Sequence, residues 1–84
     1  FQFDDIGWFL VDIAEPALRR AFLEGYQGMP PLGADFLRLV EGALIAARMR
    51  RCAWGGGYPE RLVSECRMYR AGEEFLLRIP APAY

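Results

Sequence analysis

The 84-residue chain contains no lysine and no histidine, and all ten of its basic residues are arginine. Without those two side chains it has no imidazole to act as a general base. It also has no amine for a Schiff base and no ammonium to hold nucleotide phosphates. An enzyme built from this chain alone would work with carboxylates, tyrosines, Ser64 and two thiols. Cysteine is scarce too: Cys52 and Cys66 are too few for a disulfide scaffold, and with no histidine they cannot complete a zinc site. They fall on two predicted helices joined by a short turn, at unequal distances from it. A disulfide needs Cα atoms within roughly 7 Å, so both thiols are expected to be free. No apolar run approaches the ~20 residues of a membrane span, and the first residues show no basic, signal-like region; the expectation is a cytoplasmic protein with no membrane partner. The formal net charge of −1 provides no long-range field to draw the chain to nucleic acid. "RMRRCAW", residues 48–54, is accordingly read as a helix end whose arginines suit the dipole and whose charge nearby acids cancel, with no nucleic-acid partner.

Apolar residues are abundant. They make up 54% of the chain, enough for a packed core in a single domain spanning residues 1–84, although a chain this short buries only about 60–65% of its unfolded surface. The fold class expected is mainly α: three principal helices, a short N-terminal extended segment and an extended C-terminal tail. Phe1-Gln2-Phe3-Asp4 alternates apolar and polar, the pattern of a half-buried strand, and only "FLLRI" at 75–79 offers itself as a β partner. "WFLVDIAE" carries apolar residues near helical spacing and begins a short helix. Pro16 then suits the first turn of "PALRRAFLEGYQG", with Leu18, Ala21, Phe22 and Tyr26 on its inner face, Arg20 and Glu24 in solvent four residues apart, and Gly28, Pro30 and Pro31 as its stop. "GADFLRLVEGALIAARMRRCAWGGG" is the strongest helical signal; its "ALIAA" at 43–47 is apolar on every side, which predicts a central helix covered by several neighbours. Pro59 opens the last helix, with Leu62, Val63, Cys66 and Tyr69 inward and Gly72 as its end.

Several of these pieces occur in a familiar order. Phe3-Asp4-Asp5, Gly7-Trp8, Asp12-Ile13-Ala14, the helix "ALRRAFLEGY" at 17–26 and the closing "AGEEFLL" at 71–77 together resemble the late C-lobe of the aminoglycoside phosphotransferase and choline kinase-like family of small-molecule kinases. That resemblance implies a piece of a larger kinase-like C-lobe and an activity, in the intact family, of ATP-dependent transfer to a hydroxyl with Mg²⁺. The family's glycine-rich loop, nucleotide lysine and catalytic loop lie upstream of residues like these, so the chain by itself is expected to be inactive and to need no cofactor. Its expected partner is the N-terminal part of the same protein. The alternative is a small self-associating helical module, a homodimer, with only an ancestral likeness to kinases.

The resemblance also nominates residues. The family's Mg²⁺ ligand is an acid, because a hard cation bridging phosphates wants anionic oxygen; that position is Gln2 here, which leaves Asp4 as the metal candidate against a plain loop acid. Trp8 and Asp5 are the acceptor-substrate candidates, with core packing as the competing reading for Trp8. Asp12 corresponds to an acid of structural role and is expected to cap the turn that follows it. "WGGGY" at 54–58 is either a rim that lets Trp54 and Tyr58 meet a ligand or a plain helix stop; it follows a helix and lacks a Lys-Ser/Thr pair, so it is not a phosphate-binding loop.

Overall fold

The computed structural model describes residues 2–13, 15–25 and 32–78, and the side chains of residues 2–4 lie outside that description. Four α-helices account for most of the described chain: α1 (Gln2–Val11), α2 (Pro16–Gly25), α3 (Ala34–Ala53) and α4 (Pro59–Ala71). There is no strand among the described residues. The fold is mainly α, and its N-terminal stretch departs from expectation. Gln2–Asp4 is the first turn of α1 rather than an extended segment. The alternation there is only four residues long, whereas Ile6 and Leu10, both fully buried, repeat at helical spacing. An extended segment without a sheet partner would also strand its N–H and C=O groups, which a helix pairs internally. The one candidate partner, Phe75–Arg78, folds into a turn in which the Arg78 N–H meets the Phe75 carbonyl at 3.4 Å.

Helix α3 is central, as its all-round apolar middle predicts: α1 lies along one side of it and α4 packs on another. Val40, Leu44, Ile45 and Ala47 of α3 share the core with Ile6 and Leu10 of α1, Leu23 of α2, and Phe75 and Leu76 of the tail. The α1–α3 crossing is close because Gly7 has no side chain; a Cβ there would lie 2.7 Å from the carbonyl carbon of Ala43. At the other end of α3, the chain turns through Gly55 and Gly57, at φ +86° and +84°, values that suit glycine.

Helix α4 starts with Pro59 in its first turn and stops at Gly72, at φ +77°, where the Gly72 and Glu73 N–H groups bond back to the Tyr69 and Met68 carbonyls. The tail beyond it packs on the body, Phe75 and Leu76 being buried, and then turns instead of staying extended. The expectations for Tyr26, for the stop at Gly28, Pro30 and Pro31, and for Ile79–Tyr84 lie outside the described residues.

Two helix faces differ from the sequence reading. In α2 the residues turned inward are Arg19 and Leu23, four apart, with Phe22 half-buried, whereas Leu18 and Ala21 are exposed. In α4 the buried positions are Arg61 and Glu65, and Val63 is exposed; Leu62, Cys66 and Tyr69 are half-buried. Arg48 of α3 is likewise an interior residue rather than a solvated helix-end charge. Two causes underlie these differences: Arg48, Arg61 and Glu65 are pulled in by pairing with one another, and Arg19 by the Ile13 and Leu76 carbonyls it bonds. Arg20 and Glu24 do face solvent, 3.8 Å apart.

Candidate functional site

Asp5 and Trp8, three apart on α1, share one helix face, and Asp12 follows just past the C-terminal end of that helix. The C-terminal end of α3 meets that face. Trp8 is half-buried and stacks on Trp54 with ring centroids 5.5 Å apart and planes inclined by 20°. The Arg51 guanidinium lies 5.8 Å from the centre of the Trp8 ring. Its Nη2 donates to both carboxylate oxygens of Asp12, at 3.0 and 3.2 Å. Asp12 thus ties the end of α1 to the end of α3. Asp5 is exposed at the near edge of the same face, and Trp54 presents 75% of its surface to solvent.

Of the residues the sequence nominated, the structure gathers Trp8, Asp12 and Trp54 into one corner around Arg51, and Asp5 stands exposed three residues before Trp8 on α1. Tyr58 follows on the glycine turn, also exposed. The side chains of Asp4 and Gln2 lie outside the described residues. Among the described residues no group of three or more acids or thiols is placed to hold a metal ion. Cys52 and Cys66 are free thiols, both half-buried. Chemically the corner offers an exposed indole face, one guanidinium already paired, and carboxylates. Such a set can stack on a ring and accept hydrogen bonds from its substituents.

A second constellation was missed by sequence reasoning. Among the described residues five charged side chains are buried: Arg19, Glu41, Arg48, Arg61 and Glu65. Arg48 donates to both oxygens of Glu65, through Nε to Oε1 and through Nη2 to Oε2 at 3.2 Å; the Arg61 Nε reaches Glu65 Oε2 at 3.4 Å. Glu41 Oε2 accepts the consecutive N–H groups of Phe75 and Leu76, at 2.8 and 3.2 Å, while Arg38 lies 3.5 Å from its other oxygen. Arg19 donates through Nε to the Ile13 carbonyl at 2.6 Å and through Nη1 to the Leu76 carbonyl at 3.1 Å. The tail is therefore gripped by its backbone, its N–H groups by an acid of α3 and a carbonyl by an arginine of α2. Burial, first, and then the nearby Arg61 charge lower the Arg19 guanidinium pKa from its ordinary value to about 10, so it stays protonated at neutral pH. The signal in the sequence was modest: Glu41 is a lone acid in an otherwise apolar stretch, and Arg61 and Glu65 stand at i, i+4.

In comparisons with known proteins, no family model, no curated protein and no solved structure matches this chain. Among the described residues no helix is long and apolar enough to cross a membrane.

Proposed function

We propose that this chain is the C-terminal helical portion of a small-molecule phosphotransferase of the aminoglycoside phosphotransferase and choline kinase-like class. In this reading it forms part of the wall beside an acceptor hydroxyl compound and is unable to carry out ATP-dependent transfer by itself. The observation that carries the reading is the order of Phe3-Asp4-Asp5, Gly7-Trp8, Asp12-Ile13-Ala14 and "ALRRAFLEGY" along one short chain. The corner of Trp8 and Trp54, with Asp5 three residues before Trp8, supports it, since an indole face beside carboxylates suits a hydroxylated ring. Asp12 acts in it as a structural acid, through Arg51. The chain departs from the family pattern at its start, where Gln2 stands in place of the metal-binding acid and Gly7-Trp8 lies within a helix instead of a loop. Phosphoryl transfer needs cations to spread the charge that develops on the transferred group. With neither lysine nor histidine here, ATP and Mg²⁺ are handled by upstream parts of the protein.

Nucleotide titration in the presence of Mg²⁺ and a phosphotransfer assay on the 84-residue chain should show neither binding nor turnover. The genomic sequence upstream of Phe1 should encode a glycine-rich loop, a strand lysine and a His-x-Asp loop. Robust turnover by the chain alone, or an upstream frame without those elements, would remove the reading.

The second reading is a self-associating helical module whose partner is another copy of the chain. It is favoured by the large apolar side chains left exposed on four helices: Phe9, Leu18, Leu39, Met49 and Val63, together with Trp54. Sedimentation at micromolar concentration decides it; a strict monomer excludes it.

A further inference from the structure

Three arginines are buried in this small interior, and a single carboxylate, Glu65, is shared between two of them. Arg48 occupies both of its oxygens, and Arg61 reaches only one, at 3.4 Å. Arg19 has no carboxylate partner among the described residues. Its Nε and Nη1 are spent on two backbone carbonyls, and its Nη2 is sealed from solvent with no acceptor. The charges of Glu65 and Glu74 also reach Arg19, but both acids are engaged elsewhere: Glu65 by Arg48 and Arg61, and Glu74 by the Leu77 N–H at 2.6 Å and Arg78 at 4.0 Å. A protonated guanidinium out of water, short of an acceptor and beside a like charge, is a costly arrangement to keep without compensation.

We propose that the unpartnered edge of Arg19, together with Arg61, is a binding site for one small oxyanion of the phosphate or carboxylate type. An oxyanion supplies in one group both things the cluster needs, lone pairs for the Arg19 Nη2 hydrogens and negative charge between Arg19 and Arg61. The planar guanidinium fork matches two oxygens of such a group. Burial favours a small ion over a side chain of another protein, because Arg19 is wholly enclosed and Arg61 is 7% exposed. Arg61, the more exposed of the two, is the side from which the ion enters. The site is separate from the Trp8–Trp54 corner, and the proposal stands or falls independently of the phosphotransferase reading.

The test is thermal unfolding of the full chain at neutral pH with sodium phosphate up to about 10 mM, against chloride of matched ionic strength. That range is low enough to keep general salt-exclusion effects small. The melting temperature should rise saturably with phosphate, and the phosphate ³¹P line should broaden on addition of the native chain. Arg61→Gln should weaken the apparent affinity at least about tenfold. Acetate replaces phosphate in a second series, and a saturable response to either anion supports the site. The native-chain line width decides the matter even if the variant folds poorly. No response to either anion, or a response that folded Arg61→Gln leaves unchanged, overturns the proposal.

Discussion

Replacing Gly7 with alanine sets two effects of known sign against each other. In a helix interior, glycine to alanine ordinarily stabilises by roughly 0.5–1 kcal/mol, because alanine loses less backbone freedom on folding. At Gly7 the added Cβ would stand 2.7 Å from the carbonyl carbon of Ala43 and 3.3 Å from its Cβ. Comfortable carbon–carbon contact is about 3.5–4.0 Å, so α1 would have to retreat from α3 by about 1 Å at the crossing. The obstacle is backbone in the middle of the central helix and cannot swing aside. Retreat would loosen Ile6 and Leu10, which flank Gly7 and are fully buried. Overpacking of this kind typically costs about 1–3 kcal/mol, more than the propensity gain. Gly7→Ala should therefore lose about 1–2 kcal/mol, which for a domain of this size lowers the melting temperature by about 4–15 °C. Two controls calibrate the result. Gly25→Ala meets nothing within 4 Å and should gain a few tenths of a kcal/mol, up to about 1. Gly42→Ala touches only the Tyr69 ring, with its hydroxyl at 3.3 Å, a side-chain end that can yield, and should fall between the other two. Thermal and urea unfolding of the three variants supply the ranking; a Gly7→Ala chain as stable as the native one would refute the close crossing.

Glu65→Ala leaves Arg48 and Arg61 buried without their shared carboxylate and should cost about 3–5 kcal/mol, read from the urea midpoint. An unchanged midpoint would mean the pair is not interior. Glu41→Leu removes the acceptor of the Phe75 and Leu76 N–H groups, so those two amides should lose hydrogen-exchange protection before the core of α3 does. Uniform loss across the chain would argue against a separately anchored tail. Because burial lowers the folded-state pKa of Arg19 to about 10, below its ordinary value, the unfolded chain binds more protons between the two. The penalty for the buried charge is complete below about pH 10 and is relieved as pH rises above it, so this group's contribution to stability increases with pH there. Compared with Arg19→Met across that window, the native chain should show the more positive slope of unfolding free energy against pH; equal slopes would contradict it.

The helical class, the central place of α3, the proline start and glycine stop of α4, and the solvent-facing Arg20–Glu24 pair were all legible in the chain. Each depends on residues within one or two helical turns of one another, which is the range that propensity and capping act over. The N-terminal helix was not legible, because four alternating residues carry less weight than the absence, among the described residues, of a strand to pair with, and pairing is settled by distant parts of the chain. The candidate corner was half legible: Asp5, Trp8 and Asp12 could be picked out on chemistry and resemblance, but the stacking of Trp54 on Trp8 and the Arg51–Asp12 pair join α1 to the far end of α3.

Local pattern alone thus determined where most helices run and how α4 begins and ends, since those choices are settled between near neighbours along the backbone. Which arginines and glutamates turn inward was decided only in three dimensions. A buried charge is tolerable when groups from another element reach it, a carboxylate or carbonyl for an arginine and N–H donors for a glutamate. For Arg19, Glu41 and Arg48, most of those groups come from segments 17 to 57 residues away, a separation that no reading of a single stretch can span.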